Sequence, residues 1–131
     1  MASAPAFTAT PRIGFGSVST ANTNRDGTGT IVDILTGVAA GTKVNEVVLK
    51  ATGDPADSIV TLFIHDGTSY RLFDEVDLGD PAAASTTVTG YRTTRTYDNL
   101  ILPSSSYKLA AATTVALSSG AINVFALGGD F

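Results

Sequence analysis

The first residue to consider for chemistry is His65, the only histidine of the chain. A serine triad needs a histidine that a carboxylate orients and that lies next to an activated serine. Asp66 and Asp74 follow His65 closely, but no serine stands in a G-x-S-x-G turn. Because His65 ends an apolar run beside turn residues, we expect it to close a strand and to hydrogen-bond within a hairpin.

A run of carboxylates could instead supply oxygen ligands to calcium. It consists of Asp74, Glu75, Asp77 and Asp80. Strand alternation would put Asp74 on one face and Glu75 and Asp77 on the other, and the run lacks the fixed D-x-[DN]-x-[DN]-G loop. We favour a solvated strand end, with a weak calcium site as the alternative. A glycosidase would need two carboxylates at a defined separation, which a sequence does not give.

The remaining enzyme templates each lack a required residue. Zinc sites are excluded by one histidine and no cysteine. The glycine-rich piece at residues 14–17 lacks a third glycine and a following helix, and no G-x-x-x-x-G-K-[ST] motif is present. We therefore predict that the chain is not an enzyme and has no catalytic residue, cofactor or metal ligand.

Arginine and aromatic side chains are better candidates for recognition, because protein interfaces are enriched in them. They are also ordinary residues on strand surfaces, where tyrosine and threonine pair well across strands. The predicted partner-binding residues are Phe7, Arg12, Arg71, Tyr91, Arg92, Arg95 and Phe131.

Short apolar runs separated by turn residues must position these side chains. The predicted strands cover residues 13–18, 30–36, 43–52, 58–65, 70–76, 88–97, 107–112, 115–117 and 121–127. Residues 66–69 predict a tight hairpin turn, and the runs at 58–65 and 121–127 are apolar on both faces. Eight or nine strands without a convincing helix predict an all-β fold, a two-sheet antiparallel sandwich of the jelly-roll type.

The first eleven residues differ from the rest of the chain. They are small and uncharged, and Pro5 and Pro11 oppose helix and central-strand pairing. We predict an extended N-terminal arm at residues 1–11, with Phe7 as its apolar anchor, and a single sandwich domain at residues 12–131. The arm either frays or reaches a neighbouring subunit.

Composition limits the partners. Charged residues make up 15% of the 131 residues, against about 25% in a typical chain. Either a threonine- and serine-rich surface or cover by copies of the chain or by a partner would explain so few charges. A net charge of −4 argues against nucleic acid, which needs a basic stripe. No apolar run approaches the length of a membrane span, and the first residues do not predict a signal peptide.

Several stretches resemble a family of small proteins encoded by tailed bacteriophages and prophages. The stretches are FGSVSTANTNRDGTGTIVDILT, VVLKATGDPADSIVTLFIHDGTSYRLFDEV, TYDNLILPSSSYKLAA and INVFALGGDF. Their order and spacing carry the resemblance, which covers nearly all of the chain after residue 13. The resemblance provides no catalytic or binding motif that can be transferred residue by residue.

The resemblance implies a structural virion protein, specifically a capsid decoration (cement) protein with a β-sandwich fold. Such a protein would bind the outer face of the major capsid protein lattice as a homotrimer and stabilise the shell. It would be made in the cytoplasm of a host bacterium and would need no cofactor. The alternative is a receptor- or carbohydrate-binding module of a tail fibre or spike, with tyrosines and polar loops at one end as its site.

Overall fold

In this computed structural model, the described part of the chain is residues 7–131, which form eight strands and no helix. The strands are β1 (Thr10–Val18), β2 (Val32–Thr36), β3 (Thr42–Ala51), β4 (Ile59–His65), β5 (Tyr70–Asp77), β6 (Arg92–Leu102), β7 (Lys108–Thr113) and β8 (Ile122–Asp130). The first sheet has the order β1-β8-β3-β6, and the second sheet has the order β2-β7-β4-β5. All strand pairs are antiparallel, which confirms the predicted all-β, two-sheet antiparallel architecture.

The hydrophobic core lies between the two sheets and is built by strand alternation. Its most deeply buried members are Val44, Val47, Leu49, Val60, Leu62, Leu102, Leu109, Ile122 and Val124. Each such side chain contributes roughly 1.5–3 kcal/mol when it leaves water. The two runs that are apolar on both faces, β4 and β8, are inner strands of their sheets, as their patterns predict.

The hairpin between β4 and β5 follows the sequence prediction. Asp66 Oδ1 accepts hydrogen bonds from the backbone N–H groups of Thr68 (2.9 Å) and Ser69 (3.0 Å). Gly67 has φ of +99°, a value that glycine adopts without strain. His65 closes the hairpin, since its Nδ1 accepts a hydrogen bond from Gly67 N at 3.0 Å.

Two strand predictions are corrected. Residues 115–117 form a loop, in which Leu117 N donates to Ser19 O at 3.0 Å and the Leu117 side chain packs on the core. The strand predicted at 88–97 begins instead at Arg92 and continues to Leu102. It continues because a register shift between Val44 and Glu46 keeps β3 and β6 paired beyond residue 97.

The predicted arm lies only partly within the described residues. Residues 1–6 lie outside them, and Phe7 is 81% exposed. Ala9 N donates to Asp130 O at 2.7 Å, and β1 begins at Thr10. Thr10 and Pro11 therefore belong to β1, with Pro11 placed on an edge strand, where its missing N–H is tolerated.

Candidate functional site

The outer face of the second sheet is covered by a loop of the same chain, whereas the outer face of the first sheet carries exposed side chains. On the second sheet, Phe63, Ala110 and Ala112 form a small outer cluster, against which Ile31 of the long β1–β2 loop packs. That loop is held at its start, where Asn22 N donates to Thr113 O at 2.8 Å. The chain thus covers this face with its own residues.

The outer face of the first sheet carries exposed aromatic and aliphatic side chains instead. Ile13 and Phe15 of β1 are 58% and 68% exposed. Their cross-strand partners on β8 are Leu127 and Phe125, both half-buried, and the Phe15 and Phe125 rings lie 6.0 Å apart. These four residues form an apolar stripe along the β1–β8 half of the sheet.

Cross-strand pairing arranges this face in rows that run across the strands. The central row consists of Phe15, Phe125, Val48 and Thr94. The Glu46 row lies on one side and consists of Ile13, Leu127, Glu46 and Thr96. The Lys50 row lies on the other side and consists of Ser17, Asn123, Lys50 and Arg92. One flank of the central row is therefore acidic and the other is basic.

The polar groups of the flanking rows differ in how they are engaged. Ser17 Oγ donates to Asn123 Oδ1 at 2.6 Å, and Lys50 Nζ donates to Gly90 O at 2.7 Å. Among residues 7–131, Glu46 and Arg92 take part in no ion pair. Within that range, Lys50 takes part in no ion pair either, and its ammonium has further N–H donors besides the one that reaches Gly90 O. The half-buried Glu46, the exposed Arg92 and Lys50 can therefore meet charges from another molecule.

Predicted contact residue Arg95 instead helps to close the sandwich between β5 and β6. Its Nε lies 3.2 Å from Asp74 Oδ2, and its Nη2 donates to Glu75 O at 2.8 Å. Tyr97 OH donates to the same Asp74 oxygen at 2.8 Å. Burial, followed by this hydrogen bond, raises the pKa of Tyr97 well above its usual value.

Arg12 has a similar structural role near the other edge of the first sheet. Its Nη1 donates to both carboxylate oxygens of Asp130 at 3.0 Å, and its Nη2 donates to Thr36 O at 2.9 Å. Thr42 Oγ1 also donates to Asp130 Oδ1, at 2.7 Å. These bonds, that of Thr42 first, hold the pKa of Asp130 below its usual value.

The other predicted contact residues are spread over the molecule. Arg71 is exposed on β5 of the second sheet, whereas Tyr91 is half-buried against the core. Phe131 is half-buried beside Gly41 and donates its N–H to Gly41 O at 3.0 Å. With Phe7, Arg12, Arg92 and Arg95 located as described above, the seven residues do not form one site.

Most residues considered for catalysis or metal binding are engaged within the fold, and Asp80 is exposed. In the acidic run, Asp74 pairs with Arg95 and Glu75 pairs with Arg25. Asp77 accepts a hydrogen bond from Gly79 N. In the described range, no group of three or more histidine or carboxylate side chains could hold a metal ion. A recess beside Val18 and Val32 measures about 50 Å³. That is far smaller than the roughly 300–1,000 Å³ of a ligand pocket.

The apolar stripe does not follow from strand alternation alone. Alternation of Ile13 and Phe15 with Gly14 and Gly16 predicts a half-buried strand, but the glycines face the interior and the large residues face outward. The available signal was the pair of glycines two residues apart, since glycine inside a strand often marks close approach of another backbone.

Comparisons with known proteins leave the site to be interpreted from its own geometry. No protein-family model, curated protein or solved structure matches the chain. Among residues 7–131, no helix is long and apolar enough to cross a membrane.

Proposed function

We propose that this chain is a structural virion protein that decorates the outer face of a bacteriophage capsid. Its partners are the major capsid protein and further copies of itself, and the assembly that the resemblance implies is a homotrimer. The observation that carries the proposal is the apolar stripe on the first sheet. Ile13 and Phe15 are more than half exposed there, while the chain covers the other sheet with its own loop.

The form of the molecule supports a binding role over a catalytic one. Its potential catalytic groups serve local structure: His65 closes a hairpin, and Asp74 binds Tyr97 and Arg95. A cement protein needs a rigid body with adhesive surfaces and no turnover. Large exposed apolar residues on a strand face are the kind of surface that such adhesion uses.

We further propose that the sandwich is a jelly roll. The strand orders β1-β8-β3-β6 and β2-β7-β4-β5 support this assignment. Every connection except the β4–β5 hairpin passes from one sheet to the other. This is expected of a jelly roll, in which eight strands form two Greek keys.

The N-terminal arm belongs to the proposal as a contact with the shell or with a neighbouring subunit. Phe7 supports it, because this large side chain is 81% exposed directly before the chain joins β1. The exposed Arg71 and Arg92 side chains are further candidates for polar contacts with the shell.

The alternative, a receptor- or carbohydrate-binding module, receives less support. It would use tyrosine hydroxyls, but those of Tyr70 and Tyr97 donate to Asp33 and Asp74 at 2.7 and 2.8 Å. With both hydroxyls engaged inside the molecule, we place capsid decoration first.

Reconstitution on capsids that lack the protein tests the proposal. The native chain should co-sediment with such capsids and raise their melting temperature, because a ligand that binds only the intact shell stabilises it by mass action. Cryo-electron microscopy of the virion should show the chain on the outer shell. Density only on the tail, or capsid melting that the chain leaves unchanged, would contradict decoration.

A pair of phenylalanine variants tests the arm within the same assay. Phe7→Ala should reduce capsid occupancy at a fixed protein concentration, whereas Phe73→Ala, which truncates a 41% exposed phenylalanine of β5, should not. Equal occupancy for both variants and the native chain would remove the arm from the proposal.

A further inference from the structure

We propose that the outer face of the first sheet binds a second copy of this chain, face to face, about a two-fold axis along the central row. This contact rests on the proposed function, because it names one partner of the outer face that carries the apolar stripe. Its test does not require a capsid. Its apolar centre would consist of Phe15, Phe125 and Val48 of both copies.

Charge placement on β3 selects this arrangement. Glu46 and Lys50 lie on the same outer face, one on each side of Val48. A two-fold rotation about the central row reverses the strand direction but leaves each strand above its own counterpart. Glu46 of each copy then meets Lys50 of the other, and the same operation sets Arg92 opposite Thr96.

The other simple face-to-face arrangement is unfavourable. A two-fold axis parallel to the strands would exchange the β1–β8 half of the face with the β3–β6 half. Glu46 would then face the apolar stripe at Leu127 or Ile13, and a carboxylate would lose water without gaining a partner. Lys43 lies beyond Glu46 on the same strand and, in the proposed arrangement, falls outside the opposing Glu46–Lys50 pairs.

The size of the face predicts a weak contact. Four strands span about 19 Å and nine strand residues run about 30 Å, which gives a footprint of about 570 Å² per copy. Specific stable interfaces bury about 600–1,000 Å² per partner, so this contact falls just below their range, among the weak and transient interfaces. We therefore expect association in roughly the micromolar to submillimolar range.

The symmetry of the contact separates it from the contacts of a homotrimer. A two-fold contact is isologous and joins the same patch on two copies, whereas every contact within a three-fold ring is heterologous. The predicted observation is therefore a doubling of mass, either from monomer to dimer or from trimer to hexamer.

Sedimentation velocity of the native chain at concentrations from about 1 µM to 1 mM measures that doubling of mass. These concentrations span the dissociation constants expected for a weak interface. The decisive variants reverse charges. Glu46→Lys and Lys50→Glu should each weaken the doubling by roughly tenfold or more, because like charges then meet twice in each pair of copies. The double variant, with both reversals, should restore the native association constant.

Phe15→Thr and its matched control complete the test. Phe15→Thr should abolish the doubling, whereas Phe73→Thr on β5 and the charge reversal Arg71→Glu on the second sheet should leave it unchanged. Circular dichroism melting confirms that each variant is folded, and the double charge reversal keeps the test valid if Phe15→Thr unfolds the chain.

Three outcomes would overturn the inference. They are a native mass that never doubles, a doubling that the variants leave unchanged, and single reversals that the double reversal does not rescue. If the mass of the native chain does not double, and Phe15→Thr nevertheless abolishes capsid binding, the outer face of the first sheet binds the shell and not a second copy. If the chain does not bind capsids but its mass doubles and the charge reversals weaken that doubling, the proposed capsid decoration is refuted and the face-to-face contact stands.

Discussion

Gly14 and Gly16 determine how closely β1 approaches β2. A Cβ added to Gly14 would lie 2.8 Å from Leu35 Cβ, and one added to Gly16 would lie 2.9 Å from Val32 Cγ1. Because the glycines occupy the inner face, Ile13 and Phe15 must occupy the outer one. The exposed stripe is thus a consequence of tight packing between the first strands of the two sheets.

Gly14→Ala should destabilise the fold by about 1–3 kcal/mol through overpacking. Without crowding, replacing a glycine that has no positive φ would stabilise the chain by about 0.4–1 kcal/mol, so the sign of the change is diagnostic. The comparison variant is Gly79→Ala, where no atom lies within 4 Å but φ is +66°. Urea denaturation of both variants checks this, and a stabilised Gly14→Ala chain would contradict the proposed close packing.

Asp130 makes stability depend on pH in a defined direction. Its pKa in the folded chain is lowered, first by the Thr42 hydroxyl and then by Arg12. A lowered folded pKa adds stability that is present above the unfolded value, about 3.9, and is lost as pH falls through the folded value. Asp130→Asn should therefore lessen the loss of stability below about pH 4.

Thr42→Val provides the matching measurement, because it removes the largest cause of the shift while keeping the carboxylate. In an NMR titration, the pKa of Asp130 should move up towards its usual value in this variant. A chain with Asp130→Asn whose stability falls as steeply in acid as that of the native chain would show that other carboxylates control the transition.

At the scale of the elements, the β1–β2 loop acts as a cover because one amide holds it. Asn22 is 5% exposed, and its Nδ2 donates to Thr28 O and Thr30 O at 3.0 and 2.9 Å. Its Oδ1 accepts from Asn24 N at 3.0 Å. A single buried side chain therefore ties three backbone groups of the loop together.

Asn22→Ala should destabilise the chain by about 1–3 kcal/mol, since it removes three part-buried hydrogen bonds that each contribute roughly 0.5–1.5 kcal/mol. Hydrogen exchange should accelerate in residues 19–31 and around Phe63, which the loop helps to cover. Asn24→Ala is the matched control, because the exposed Asn24 amide reaches only Thr28 Oγ1. Equal exchange in the two variants would contradict this account of the loop.

Sequence patterns correctly predicted elements that pair with a neighbour in sequence and strands that are buried on both faces. The β4–β5 hairpin follows from residues 66–69, and β8 was identified by its two apolar faces. The pattern failed where tertiary contacts decide. It assigned residues 115–117 to a strand, although Leu117 is held in a loop by Ser19. It also ended β6 too early, because the pairing of β6 with β3 resumes after a register shift between residues 96 and 100.

The candidate site was less predictable than the fold. Arg12 and Arg95 have the composition of contact residues, but Asp130 and Asp74, distant in sequence, engage them within the molecule. Glu46 and Lys50 gain significance only because β3 places them on the same face as Phe125. Such relationships depend on register between strands, which composition and alternation do not fix.

At the scale of the whole molecule, the last strand of the chain completes the middle of a sheet. β8 lies between β1 and β3, and it carries the buried residues Ile122, Val124 and Ala126 into the core. The first sheet therefore cannot form its observed pairing until residues 122–130 have been synthesised. Pairing over such long sequence separations is slow, because loop-closure entropy is spent before contacts form.

A chain that ends at Gly120 should consequently remain unfolded and sensitive to protease, because it lacks both pairings of β8 and its inner side chains. Adding a peptide of residues 121–131 should restore protease resistance and the circular dichroism of the native fold. A peptide with Val124→Asp should fail, since the charge would be buried without a partner. Protease resistance of the shortened chain without the peptide would show that the remaining strands form a stable sandwich without their central partner.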